Sequence, residues 1–145
     1  MSKFEALSQA EEQWLQDQFR LAAQFAGAPE PDSLPSLQAL DAAWADFIAL
    51  GAASNERANA IVLCVGAAFG EHLVRQHGFS WCISTDEWGT GIAVRARPGR
   101  GDITIFPLDY VSKRWENQEK EFLVASIHPI ERTVRDSDSA WNRTH

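Results

Sequence analysis

The sequence predicts an α+β fold: N-terminal helices, a long buried central helix packed on a small antiparallel β-meander, and then a C-terminal helix. Three observations carry that prediction. Apolar residues recur at a helical period as far as His77, the period changes to two after Gly78, and the strand-like runs that follow are joined by connections too short for parallel pairing. The 145 residues suit one domain, placed at 1–135, with 136–145 read as a flexible polar tail.

The first helix opens on Ser8, and Glu11 three residues on completes a capping box. Trp14, Leu15, Phe19, Leu21, Ala22 and Phe25 form its apolar stripe, and Gly27 ends it. The stretch GAPEPDSLP, residues 27–35, reads as a loop because its prolines and Gly27 block regular pairing. Ser36 caps a second helix whose Leu37, Leu40, Trp44, Phe47 and Ile48 make a stripe up to Gly51. Asp41 lies on the edge of that stripe, where a carboxylate is expected to accept from a nearby backbone or indole N–H.

The third helix runs from about Asn55 to His77 and is apolar all round between Ala60 and Gly70. A helix in water tolerates that only when other elements cover it on several sides. Gly66 and Gly70, four apart on one face, are expected to let a strand or helix approach closely. Gly78 then ends the helix, with His77 in its last turn.

The runs SWCIST (80–85), GIAVRAR (91–97) and DITIF (102–106) alternate in polarity, and the turn-like DEWGTG and PGRG separate them. On the middle run Ile92, Val94 and Ala96 face inward and Arg95 and Arg97 outward. Pro107 ends the third run, and Asp109 is expected to cap a helix with Leu108, Val111 and Trp115 on its apolar side. FLVASI (122–127) fits either a fourth strand or a helix, and Pro129 is expected to open a short last helix.

These motifs, in this order, resemble a known family. A small-residue helix GAAFGEHL, then GFSW opening a strand, DEWG at a turn, a strand ending in FP and a basic SKRW helix are similar, over residues ~58–118, to the bacterial family catalogued as domain of unknown function 3806. The resemblance implies a small soluble bacterial domain with this helix-then-meander layout. It implies no catalytic residues.

Composition narrows the function classes. A formal charge of −7 argues against a nucleic-acid partner, which needs clustered Lys and Arg. The uncharged run Ala58–Gly70 falls short of the roughly twenty residues that span a bilayer, and MSKFEALSQAEEQW has acids where an export signal needs a basic and then an apolar stretch. A cytoplasmic protein without a membrane role is expected, with Cys64 and Cys82 as buried reduced thiols. No HExxH, Cys/His quartet, GxSxG or glycine-rich phosphate loop occurs, and His72 and His77 are five apart on different helix faces, so no metal, cofactor or catalytic residue is assigned. Nothing in the sequence fixes the oligomeric state.

Two readings follow. Trp88 lies in the short turn DEWGTG beside Asp86 and Glu87, and Arg95, Arg97 and Arg100 cluster on the next hairpin. If the indole stands in solvent, these residues suit a non-catalytic protein-interaction module, immunity- or adaptor-like, that meets a basic partner. If it folds back over the helix, Trp88 is core. The alternative is a small-molecule sensor or enzyme with a pocket at the end of the central helix, built from Glu71 and His72 with Lys113 and Arg114. Adjacent helix positions point about 100° apart, which favours separate structural roles for Glu71 and His72.

Overall fold

The computed structural model describes residues 2–28, 30, 33–51 and 54–145. Along the chain it contains β1 (Lys3–Glu5), α1 (Gln9–Phe25), α2 (Leu37–Leu50), α3 (Asn55–Gln76), β2 (Ser80–Asp86), β3 (Gly89–Ala96), β4 (Ile103–Ile105), α4 (Pro107–Glu116) and α5 (Leu123–Thr144). The fold is α+β, as the change of period predicts.

Side-chain caps set the helix starts. Ser8 Oγ accepts from the Glu11 N–H at 3.2 Å while Glu11 Oε1 accepts from the Ser8 N–H at 2.7 Å, which completes the capping box. Ser36 accepts from the Ala39 N–H at 3.1 Å, and Ser54 from the Arg57 N–H at 3.2 Å. Gly51 closes α2 in the left-handed conformation, with φ 65°. Within the predicted loop 27–35, Pro29, Pro31 and Asp32 lie outside the described residues.

Helix α3 is the centre of the molecule. From Cys64 to Gly70 every residue is buried, together with Ile61, Val62, His72 and Leu73. Its length and mean hydropathy of 1.2 would satisfy a membrane span, but 67% of the apolar window is enclosed by the rest of the chain. The glycines do what their spacing predicts. A Cβ on Gly66 would stand 2.9 Å from the Leu108 Cα, and one on Gly70 would stand 2.8 Å from the Pro107 ring and against the Trp81 indole. Only hydrogen at these two positions lets the start of α4 and the sheet lie directly on the helix.

The sheet order is β1-β2-β3-β4, antiparallel throughout. Cross-strand partners share a face. Trp81, Val94 and Ile105 therefore line up against α3, as do Ile83 with Ile92 and Ala96 with Ile103. The predicted three-stranded meander is present, and β1 adds a fourth strand that the sequence reading lacks.

Four local expectations need correction. Leu21 is 44% exposed, and Leu15, Gln18, Ala22 and Ala23 are the buried residues of α1. Leu21 lies about 120° round the helix from Leu15. Asp109 does not cap α4: Phe106 occupies the N-cap position, Pro107 the first turn, and Asp109 pairs with Lys113 one turn on, at 3.2 Å. Pro129 does not open a helix, because it lies inside α5. The residues read as a loose tail, 136–145, instead supply the last turns of α5 as far as Thr144. An apolar stripe of Leu123, Ile127, Ile130 and Val134 runs past the proline and holds α5 against the core.

Asp41 anchors the start of α5. Its Oδ1 accepts from the Phe122 and Leu123 N–H groups at 3.2 and 2.9 Å, and its Oδ2 from the Val124 N–H at 3.0 Å. Phe122 itself has no side-chain cap to offer, so a carboxylate from α2 takes that role. The expected backbone partner of Asp41 is thus found, although the sequence does not say where.

Candidate functional site

The β2–β3 turn is built by one side chain. Asp86 Oδ1 accepts from the Trp88 N–H at 2.8 Å and the Gly89 N–H at 3.1 Å, an Asx turn that uses up one carboxylate oxygen. Gly89 takes φ 143°, a conformation that side-chain-bearing residues rarely adopt. Glu87 and Trp88 are pushed outward as a result. Trp88 is 87% exposed, the most exposed of the large hydrophobic residues among those described. Glu87 is also exposed and makes no ion pair among the described residues.

The hairpin arginines stand at the other end of β3 from this turn, roughly 20 Å or more away by strand rise. They are also engaged. Arg95 pairs with Asp102 at 2.5 Å and lies 3.7 Å from the centre of the Phe4 ring. Arg97 grips Asp138 of α5 with two hydrogen bonds, at 2.6 and 3.0 Å. That contact raises the Arg97 pKa and holds the Asp138 carboxyl below the usual carboxylate range. Asp102 is held down in the same way, first by the Gly99 N–H and then by Arg95. Arg100 lies 5.2 Å from the Trp141 ring centre, and its carbonyl accepts from the Ser137 hydroxyl at 3.2 Å. The structure therefore groups Asp86, Glu87 and Trp88 at one tip and places Arg95, Arg97 and Arg100 elsewhere.

Nor does it assemble the alternative pocket. Glu71 Oε1 accepts from the Trp81 indole at 3.0 Å and Oε2 from Arg75 at 2.9 Å, at the edge of an open cleft of about 860 Å³ against α1. His72 Nε2 lies 2.7 Å from the Pro35 carbonyl and lines a different cleft, of about 400 Å³, between the start of α2 and α5. Burial pushes the His72 pKa down, so the neutral ring donating to Pro35 is the favoured form. Lys113 is occupied by Asp109, and Arg114 by Glu119 at 3.2 Å and by the Tyr110 ring. An acid and a base that open into separate clefts cannot act on one proton.

Sequence reasoning set His72 and His77 on different helix faces and missed His128 and Glu131, yet all four line the second cleft. The three-residue spacing of His128 and Glu131 on α5 is the signal that could have paired them. Among the described residues no three His, Cys, Asp or Glu side chains come together to hold a metal ion. Burial pushes the Cys64 thiol up to about 12 and raises that of Cys82, which disfavours the nucleophilic thiolate at both.

A family model described as Domain of unknown function (DUF3806) matches residues 42–125. The chain belongs to this family. The part it shares with DUF3806 runs from within α2 to the first residues of α5 and contains α3, the β2–β4 meander, the Trp88 turn and the Glu71–His72 junction. It extends the resemblance read from the motifs at both ends. It leaves out β1, α1 and nearly all of α5. Comparison with curated proteins and with solved structures finds no match.

Proposed function

We propose that this DUF3806 protein is a non-catalytic protein-interaction module of the immunity or adaptor kind, working in the cytoplasm, and that the Trp88 turn is its contact. One observation carries the reading: an indole 87% in water on a turn that Asp86 holds in place. Holding a large apolar surface in solvent is unfavourable for the isolated protein, and Trp is over-represented where partners bind tightly. The same turn offers carboxylates to the partner. Together with the charge of −7, this favours a partner with a basic surface.

The test uses the intact chain and a Trp88→Ala variant as baits in the cytosol of the source cell, with a photo-crosslinking residue at 87 and, as control, at the exposed Leu50. The reading expects one protein captured by wild type, crosslinked from 87 but not from 50, and lost with Trp88→Ala. It fails if both baits retain the same proteins or neither retains any. Circular dichroism of the variant will match wild type, because Trp88 supports nothing beneath it.

A further inference from the structure

Two of the four exposed large hydrophobic residues among those described belong to one surface. Leu50, at the end of α2, is 77% exposed and lines an open groove of about 570 Å³ with Phe25, Ala26, Ala43 and Phe47. Leu21 is exposed one helical turn before Phe25, on the same side of α1. The groove follows α2 from Ala39 to Leu50, about 16 Å at the helical rise. It lies beside the face that α2 turns to the core, which carries Leu37, Leu40, Trp44 and Ile48. A helix with a second apolar stripe has a second surface to pack.

The rim of the groove carries one charge of each sign. Asp46 and Arg57 both line it, both are exposed, and neither makes an ion pair among the described residues. A partner of uniform charge, basic or acidic, would set one of the two against its like. A second copy turned about a twofold axis brings Asp46 to Arg57 and Arg57 to Asp46 at once. The same symmetry supplies a knob and a hole. Ala43, Asp46, Phe47 and Leu50 are spaced i, i+3, i+4 and i+7, the hole that a side chain of a facing helix enters, and Leu50 is the projecting side chain.

We propose that the chain forms a twofold dimer through α2. The two helices run antiparallel, Leu50 of each copy sits among Ala43, Phe47 and Leu50 of the other, and Asp46 pairs with Arg57 across the interface. The −7 that each copy carries opposes association at long range, but physiological salt screens it beyond about 8 Å, whereas the rim charges meet in contact. None of these residues belongs to the Trp88 turn, so the dimer is independent of the interaction reading above.

Sedimentation equilibrium of the full chain tests it. A contact three helical turns long is at the small end of specific interfaces, so the expected dissociation constant is about 10–100 µM. Leu50→Asp should weaken the dimer at least about tenfold, and so should Asp46→Arg and Arg57→Asp singly. The decisive sample mixes the Asp46→Arg and Arg57→Asp chains in equal amounts. Each alone sets like charges across the axis. Together they form a mixed dimer of near wild-type affinity, because opposite charges then face each other at both ends. Every substituted position is exposed, so circular dichroism of the variants will match wild type. A wild-type chain still monomeric at about 1 mM overturns the proposal. So does a dimer that Leu50→Asp leaves intact, or a mixture no more associated than its two parts, which is the result if Asp46 and Arg57 pair within one copy. A photo-crosslinker at 50 should join the chain to itself; joining it only to a different protein gives the groove to that protein and overturns the dimer.

Discussion

Replacing Asp41 by alanine will unfasten α5 from α2. The carboxylate accepts from three consecutive backbone N–H groups at 2.9–3.2 Å, and two of those belong to Phe122 and Leu123, which are buried. A buried donor left without an acceptor costs about 1–3 kcal/mol, whereas the exposed Val124 N–H can turn to water. Loss of a negative charge at a helix N-terminus adds about 0.3–1 kcal/mol. Water entering the half-buried site recovers part of this, so Asp41→Ala should cost about 2–4 kcal/mol. At this chain length that lowers the thermal midpoint by roughly 5–15 °C. Asp41→Asn keeps Oδ1 for Phe122 and Leu123 but presents an amide donor to the Val124 N–H, and should cost about 1 kcal/mol. Urea unfolding followed by circular dichroism measures both. A loss below about 1 kcal/mol for the alanine variant, or equal losses for the two, would refute the account of how α5 begins.

Four further outcomes follow from the same structure. Gly70→Ala places a methyl group against Pro107 and Trp81; overpacking of about 1–3 kcal/mol outweighs a helix-propensity gain of up to about 1, so the urea midpoint should fall. His72 has its pKa lowered from 6.5 by burial, so below about pH 6.5 the unfolded chain takes up a proton that the folded chain refuses. Stability should therefore fall with pH from about 6.5 down to the folded pKa of His72, and a His72→Gln variant should show a shallower decline. Asp138→Asn should speed amide exchange in residues 97–102, and should remove stability that wild type has above the ordinary carboxylate pKa and loses as pH falls through the depressed one. Cys64, enclosed within α3, should react with a thiol reagent no faster than the protein unfolds, and at once in denaturant.

The helical half was legible because its signals are local. Ser8, Glu11 and Ser36 act on N–H groups within three residues of themselves, and the enclosure of α3 is written in its uninterrupted apolar run. The meander was legible from alternation and short turns. What escaped depends on partners distant in sequence. The three residues of β1 are too few to show a period, and only pairing with residues 83–85 makes them a strand. A last helix was expected, but the extent of α5 escaped because a proline and a polar composition outweighed its stripe; tertiary packing absorbs the lost hydrogen bond that Pro129 imposes. At the candidate site the turn chemistry of Asp86 was readable, but the exposure of Trp88 was not, since burial of a turn residue depends on what else comes near. The hairpin arginines look like a basic patch in sequence because Asp138 and Trp141, which occupy two of them, lie some forty residues further on.

That last arrangement bears on how the protein is dissected. The matched segment stops at residue 125, while the clasp of Ser137, Asp138 and Trp141 on the β3–β4 hairpin lies beyond it. Cutting the chain at the limits of the match strips the counter-charge from Arg97 and the aromatic lid from Arg100. Such a fragment will display a positive corner whose charge the whole molecule offsets through Asp138, and any affinity it gains for polyanions is a property of the scissors.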